Sequence, residues 1–435
     1  MIKCSVATDL VRPSLKRRRR SKSLGEPKKK HPRSTHDDDH QELFVCPSLP
    51  SSPLPVRTRR TSKIETNSQK QVHFAINSTP TPAMAYALLS AFRNGLGISF
   101  TDFQKLLSFG VELFTPQPNV RQINPPKQGE KLVIVGDLHG QFYDLFDNIL
   151  SVHGLPMIED DYINKGRKIL FRHKIKSCNL LTKSNVTYIF NGDFVDRGRF
   201  SVQTFCSLLA LALAFPDSVY LNRGNHEEES TASVYGFFDE ISAKYVFSEA
   251  LALQRDCTRL FKSLPIATVV KGYFFIVHGG LSKKITSLDI INKPNRTLES
   301  SIISNLLWSD PMNTGVQRRS VRGIGVRFGP GITKTLLNNT NLKLLIRSHE
   351  WQNGGIDVCH EGKVVTVFSA PNYYGEESKG SVLVFEKKGE DGSELGYWNG
   401  FALYSVSFDL ADAPDEPDYF NVQKLYNLLE EKQSL

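Results

Sequence analysis

The 435-residue sequence has no apolar run long enough to cross a bilayer. The longest, Leu208 to Phe215, ends at Pro216 and falls far short of the roughly 20 residues a spanning helix needs. The N-terminus lacks the apolar stretch of a secretory signal. The six cysteines (Cys4, Cys46, Cys178, Cys206, Cys257, Cys359) include no CxxC pair and no framework spacing. That excludes a disulfide-stapled scaffold and a thiolate-built zinc site, and it fits free thiols in a reducing compartment. The expected location is nuclear, cytoplasmic or both.

Charge is also missing where the net +9 would suggest it. Residues 1–80 hold 17 Lys and Arg against 7 Asp and Glu, which leaves 37 basic and 38 acidic residues for 81–435. The basic character belongs to a tail, and the remainder gives no sign of a nucleic-acid surface. Within the tail, Lys16–Arg20 and Lys28–Lys30 have no interleaved aromatics for stacking on bases. They read equally well as an import signal, a polyanion patch or a solubilising run. His36–His40 (HDDDH) and Arg59–Ser62 (RRTS) read as a solvated charge cluster and a basophilic kinase site.

The expected organisation is a disordered basic tail over 1–80, a helical lead-in over 81–130, and a catalytic domain over 131–412. A C-terminal helix or tail follows over 413–435. Ala85, Leu88, Leu89 and Phe92 share one helical face, and Phe103, Leu106, Leu107, Val111 and Leu113 a second. A basic insertion at about 156–185 is longer than a strand crossover needs.

What the chain has in quantity is one repeated theme: a short apolar run that empties into polar, metal-competent residues. Leu132–Val135 precedes GDLHG, Val186–Phe190 precedes NGDFVDRG, and Val219–Leu221 precedes NRGNHE. Phe274–Val277 precedes HGGL, Leu342–Ile346 precedes RSHE, and Val364–Phe368 precedes SAPNYYG. Strands ending in Gly and Asp turns, with helical stretches at Gln141–Leu150 and Phe200–Phe215, predict an α/β fold with its site beyond the strand ends.

Asp137, His139, Asp193, Asn225, His278 and His349 then offer oxygen and imidazole ligands with no thiolate, a set suited to two divalent ions of Mn, Fe or Zn. Asp193 is placed to bridge the two. Such a centre attracts a phosphate dianion and activates water at neutral pH. Arg197 and Arg322 can fork onto phosphate oxygens. His226 is placed to protonate the departing oxygen, and Asp196 to hold its other ring nitrogen.

GDLHGQ (136–141), GDFVDRG (192–198), RGNHE (223–227), HGGLS (278–282), LLWSDP (306–311), RSHE (347–350) and SAPNYYG (369–375) resemble the serine/threonine phosphoprotein phosphatases of the metallophosphoesterase superfamily. The likeness is nearest to the phosphatase-five and EF-hand branches. The resemblance implies a central β-sandwich of mixed sheets flanked by helices, with a dinuclear centre. It assigns the metal positions to the six residues named above, the acid pair to His226 and Asp196, and the phosphate contacts to Arg197, Arg322 and Tyr373. It implies hydrolysis of phosphoserine and phosphothreonine by direct attack of a metal-bound hydroxide on phosphoprotein substrates. The 435 residues contain neither a tetratricopeptide array nor an EF-hand loop, so regulation is expected to differ from both branches. Lys70–Phe74 (KQVHF) resembles the motif by which regulators dock on type one phosphatase. The tail is therefore expected to dock on itself or on a regulatory subunit. Two other readings are a catalytically silent phosphoprotein-binding scaffold, against which the intact ligand set speaks, and a dinucleotide polyphosphate phosphoesterase, against which LLWSDP and SAPNYYG speak.

Overall fold

The computed structural model describes residues 70–156, 160–172, 174, 183–293, 295–375, 377–388 and 395–414. In chain order its main strands begin with β1 (Gln71–Val72), β2 (Gly97–Ile98), β3 (Val120–Ile123), β4 (Lys131–Val135), β5 (Val186–Phe190) and β6 (Val219–Leu221). They continue with β7 (Ala267–Val270), β8 (Phe274–Val277), β9 (Leu344–Arg347), β10 (Ile356–Cys359), β11 (Val364–Val367), β12 (Gly380–Lys387), β13 (Gly396–Trp398) and β14 (Phe401–Phe408). The helices needed here are α1 (Pro82–Arg93), α2 (Phe100–Phe114), α3 (Asp160–Arg172), α4 (Ser201–Ala214), α5 (Phe237–Lys244) and α6 (Phe247–Ser263).

Two six-stranded sheets carry the fold, one ordered β13-β14-β12-β4-β5-β6 and the other β10-β11-β9-β8-β7-β3. Each contains a parallel trio: β4, β5 and β6 at one end of the first, β11, β9 and β8 in the middle of the second. Successive side chains face opposite sides of a sheet, so strands covered on both faces are apolar at most positions. Leu132 and Ile134 of β4 join Phe274, Ile276, Leu344 and Ile346 in a cluster that draws on both sheets. Val133 and Val135 belong instead to the cluster of α1, α2 and α4, and Phe275 and Val277 to that of the helix Ser301–Trp308. Both faces of the central strands are therefore buried, and the metal-competent side chains lie at the strand ends.

The two sheets meet at one rim. Asp137, just past β4, forms an isolated parallel bridge with Phe368, just past β11. The approach is close enough that a Cβ on Gly136 would lie 2.1 Å from the carbonyl oxygen of Val367, so only glycine fits. All six apolar runs read from the sequence appear as strands, and their C-terminal ends gather at this seam.

The helices are anchored by polar groups at their ends. Ser99 and Asp102 form a reciprocal cap on α2, with Asp102 N donating to Ser99 Oγ at 3.3 Å. α4 has no cap of its own; the buried carboxylate of Glu240 accepts from Ser201 N and Val202 N at 2.8 and 3.0 Å. The stretch expected as a helix from Gln141 contains a π-helix, Asp144–Leu150, next to the site.

The expectation of a disordered tail as far as residue 80 is corrected at its end. Residues 70–80 belong to the fold because Val72, Phe74 and Ile76 are buried at alternate positions and β1 pairs with β2. Within the basic insertion, α3 lies against α1, where a side chain at Gly166 would meet Tyr86 Cδ1 at 2.8 Å. Arg167, Lys168 and Arg172 of this helix face solvent. The motifs at Lys16–Arg20, Lys28–Lys30, His36–His40 and Arg59–Ser62 lie outside the described residues, as do residues 415–435 of the expected C-terminal helix or tail. Among the described residues no helix is long and apolar enough to cross a membrane.

Candidate metal centre

The turn after β5 is the centrepiece. Asp193 and Asp196 both adopt positive φ (53° and 73°), as does Arg197 at 70°, conformations that a non-glycine residue holds only when its surroundings over-determine them. The carboxylate of Glu227 does much of that. It accepts from Asp193 N and Gly224 N at 2.8 Å and from Phe194 N at 2.7 Å, which ties the turn after β5 to the turn after β6. The backbone of His226 donates to Asp193 Oδ1 at 3.0 Å.

His139 reaches the same point by a different route from the one spacing suggests. Its φ of 42° breaks the extended chain, Leu138 turns into the core, and Leu138 N and His139 N both donate to Asp193 O at 3.0 and 2.9 Å. Asp137 and His139 thus face one centre through a left-handed turn rather than through strand alternation. Nδ1 of His139 donates to Val195 O at 3.1 Å. The lone pair of Nε2 is left between Asp137 Oδ2 at 3.7 Å and Asp193 Oδ2 at 3.6 Å. His278 is oriented in the same way: Nδ1 donates to Asn191 O at 2.9 Å and Nε2 faces Asp193 Oδ1 at 3.3 Å. A backbone carbonyl that fixes the proton on one ring nitrogen presents the other as a ligand.

Asn225 and His349 close the second group. Asn225 Oδ1 lies 2.8 Å from His278 Nε2, which lies 3.2 Å from His349 Nδ1. These are acceptors facing acceptors in a buried space. Either the Asn225 amide turns over, so that its nitrogen donates to His278 Nε2 and His349 Nδ1 at 2.8 Å, or a cation occupies the point where the lone pairs converge. Two sets of side chains with ligand atoms within 4.8 Å of one another emerge: His139, Asp193 and His226, and Asp193, His278 and His349. Asp193 belongs to both, and Asp137 lies between them, accepting from His349 N at 3.1 Å. The donors are oxygen and imidazole throughout, so they fit a pair of borderline divalent ions.

The electrostatics point the same way. Burial pushes the Asp137 carboxyl up to about 7, and burial with Asp137 and Glu227 nearby pushes Asp193 well above the usual carboxylate range. Burial drives His139, His278 and His349 well below the ordinary histidine value, which keeps them neutral. Crowded buried carboxylates among neutral imidazoles are costly unless a cation joins them.

His226 stands beside this group. Its Nδ1 is 2.7 Å from Asp196 Oδ2, and its Nε2 is 3.9 Å from Asp193 Oδ2. Arg197 stacks over the ring of Tyr235 at 4.0 Å, a contact that aims the guanidinium. Arg322 donates through Nε to Asp310 Oδ2 at 2.7 Å. Tyr373 stacks on His139 with ring centroids 5.0 Å apart. A cleft of about 730 Å³ runs from His139, Arg197 and Tyr373 past Phe200 to Leu410–Pro414. All eleven residues assigned from the sequence lie along this rim or its mouth.

Some supporting residues were not singled out from the sequence. Glu227, Asn191, Asp310 and Arg347 all lie within motifs read for other members. Asn191 Nδ2 bridges the sheets by donating to Val277 O and Ser348 Oγ, both at 2.9 Å. Arg347 is fully buried, and its guanidinium donates to Gly279 O at 2.8 Å, Glu350 Oε2 at 2.7 Å and Asp310 Oδ1 at 2.9 Å.

Residues 130–353 match the calcineurin-like phosphoesterases, and the chain belongs to that family. It is 39% identical over 316 residues to serine/threonine-protein phosphatase T of Trypanosoma brucei brucei, covering 71% of this chain and 60% of that protein. It is 40% identical over 251 residues to human serine/threonine-protein phosphatase 5, covering 57% of this chain and 44% of that one. The chain thus spans about half the length of such relatives. A solved Saccharomyces cerevisiae protein serine/threonine phosphatase, described as similar to human phosphatase PP5, aligns with a TM-score of 0.60 at 29% identity. That alignment covers 75% of this chain and 95% of the yeast one.

Proposed function

We propose that this chain is a protein serine/threonine phosphatase holding two divalent ions, drawn from manganese, iron and zinc, at Asp137, His139, Asp193, Asn225, His278 and His349. The observation that carries the reading is the carboxylate of Asp193, shared between two groups of converging ligand atoms, with the His226–Asp196 pair beside it. When bound, such ions supply Lewis acidity toward phosphoryl oxygens and a nucleophile at neutral pH.

The remaining work falls to the chain's own side chains. Arg197, aimed by Tyr235, and Arg322, aimed by Asp310, bind phosphate oxygens and spread the charge that develops on them. His226 holds a proton at Nε2 for the departing serine or threonine oxygen, while Asp196 accepts from Nδ1. A dianionic substrate nearby favours the protonated ring. The cleft toward Leu410–Pro414 gives room for the peptide that carries the phosphate. The names of the relatives support phosphoserine and phosphothreonine as the class of substrate. Phosphate release from phosphoserine and phosphothreonine peptides by the metal-loaded chain tests this directly. Hydrolysis of a diadenosine polyphosphate with none of the peptides would overturn it.

The tail is proposed to act in location, on the strength of its basic runs, and in docking on itself or on a regulatory subunit, on the resemblance of Lys70–Phe74 to a phosphatase-docking motif. Alanine at Lys16–Arg20 should shift the protein from nucleus to cytoplasm; an unchanged distribution removes the import reading.

A further inference from the structure

Residues 70–76 lie in a groove of the same chain as an added strand. Gly97 N donates to Lys70 O at 3.1 Å and Ser99 N to Val72 O at 3.0 Å, in parallel register with Gly97 and Ile98. Gln71 Nε2 donates to Lys244 O at 2.9 Å, at the C-terminal end of α5. Val72, Phe74 and Ile76 enter the same apolar cluster as Ile98, Phe103 and Tyr245.

The polar centre of the groove is Asp102, whose side chain is fully buried. At Ala75 the segment turns left-handed, with φ of 53°. That turn brings Phe74 N onto Asp102 Oδ2 at 2.6 Å and Ile76 N onto Oδ1 at 2.8 Å. Ser99 Oγ donates to Oδ2 at 2.9 Å, and His73 Nδ1 lies 3.0 Å from the same oxygen. A buried carboxylate is thus satisfied mainly by main-chain donors of the segment and by the cap of its own helix. Without the segment it would lose charge-assisted partners, and the apolar floor would meet water.

Main-chain bonds with pockets for alternate side chains define recognition by strand addition. The geometry also sets the sequence of the ligand. Apolar residues are needed at i, i+2 and i+4. The residues at i+2 and i+4 must carry an N–H, which excludes proline there, and i+3 sits at positive φ, which favours Gly, Asn or Asp. Val72, Phe74 and Ile76 meet the first two conditions, and Ala75 adopts the left-handed turn without being a residue that favours it.

We propose that this groove is an exchangeable peptide-docking site, filled in cis by residues 70–76 and open in trans to a partner segment of the same chemistry once the cis segment is displaced. Lys70, the first residue of the segment described, joins it to residues 1–69. The site gives the proposed regulatory partner a specific recognition chemistry, and its test is a binding measurement that does not depend on phosphatase activity.

The probe is a fluorescent peptide of residues 68–78, measured by anisotropy against the full chain. A Phe74→Asp chain, its own segment dislodged, should bind the peptide at least tenfold more tightly than wild type. Asp102→Asn added to that chain, or Phe74→Ala in the peptide, should each weaken binding at least tenfold. Equal binding to wild type and variant, or indifference to Asp102→Asn, overturns the proposal. If Phe74→Asp disturbs the core in circular dichroism, Val72→Thr loosens the cis segment with less damage. The peptide must then bind that chain more tightly than wild type, and equal affinity again overturns the idea.

Discussion

Asp196 Oδ2 lies 2.7 Å from His226 Nδ1, and the other oxygen of the same carboxylate accepts from Phe237 N at 2.9 Å. The first N–H of α5 thereby fixes the carboxylate, which fixes the ring. Burial pushes the Asp196 carboxyl up to about 8 and the His226 imidazole well down from its ordinary value.

A proton donor to the leaving oxygen is worth about 10²–10⁴ in rate. His226→Asn should therefore cut turnover of a phosphoserine peptide by that order while bound metal, read by atomic emission, stays at two ions per chain. The loss should shrink for an aryl phosphate whose leaving group needs no proton. His226 also lies within reach of the His139 and Asp193 ligand atoms. A fall to one ion per chain would identify it as a ligand and sink the acid assignment.

Asp310 is shared between two guanidinium groups: Arg347 Nη2 donates to Oδ1 at 2.9 Å and Arg322 Nε to Oδ2 at 2.7 Å. Arg347 is buried and fixed, so Asp310 passes its position on to Arg322 at the mouth of the site. Lysine cannot keep the carboxylate and fork onto phosphate at once. Arg322→Lys should lower kcat/KM for phosphopeptides about 10- to 100-fold, the range for one lost charged hydrogen bond. Metal content should not change; an unaltered kcat/KM would remove Arg322 from the phosphate site.

Gly136→Ala tests the seam between the sheets. The new Cβ would sit 2.1 Å from Val367 O, in backbone that has no side chain to swing aside. The expected cost is about 1–3 kcal/mol in denaturant unfolding, as for other overpacked positions. Metal affinity should weaken with it, because Asp137 and Ser369 on either side are joined by Ser369 N donating to Asp137 O at 3.1 Å. Wild-type stability together with wild-type metal binding would show that the close approach is not required.

Much of this arrangement was legible because its causes are local. Apolar runs buried on both faces read as strands whatever surrounds them, and Asp, His and Asn placed just past five such runs have few uses other than a shared centre. Residues 70–80 were misread because their composition is that of a tail. Asp102, 26 residues beyond Ile76, gives the N–H groups of Phe74 and Ile76 their carboxylate partner. The turn that aims Asp137 and His139 at one centre has no sequence signature, since positive φ at His139 goes with bonds to Asp193 O in the neighbouring turn of the same sheet and leaves no mark in spacing. Glu227 was passed over because its three partners are backbone N–H groups, which no sequence pattern displays.

Asp144, in the wall of the cleft, gives a prediction in pH. Its Oδ1 accepts from Ala411 N and Asn148 Nδ2 at 2.8 and 2.9 Å, which holds the C-terminal segment against the π-helix. Burial nonetheless dominates and pushes the carboxyl up from 3.8 to about 7. A carboxyl raised in the folded state binds more protons there than in the unfolded chain. Its contribution to stability is therefore fully present below about pH 4 and is lost as pH rises through 7. Wild type should lose stability to urea between pH 5 and 7.5, and Asp144→Asn, which cannot ionise, should lose less over the same interval. At pH 7.5 the variant should match or exceed wild type, and at pH 5 the difference should close or reverse. Parallel pH profiles for the two proteins would show that Asp144 keeps an ordinary carboxylate pKa, its two donors outweighing burial.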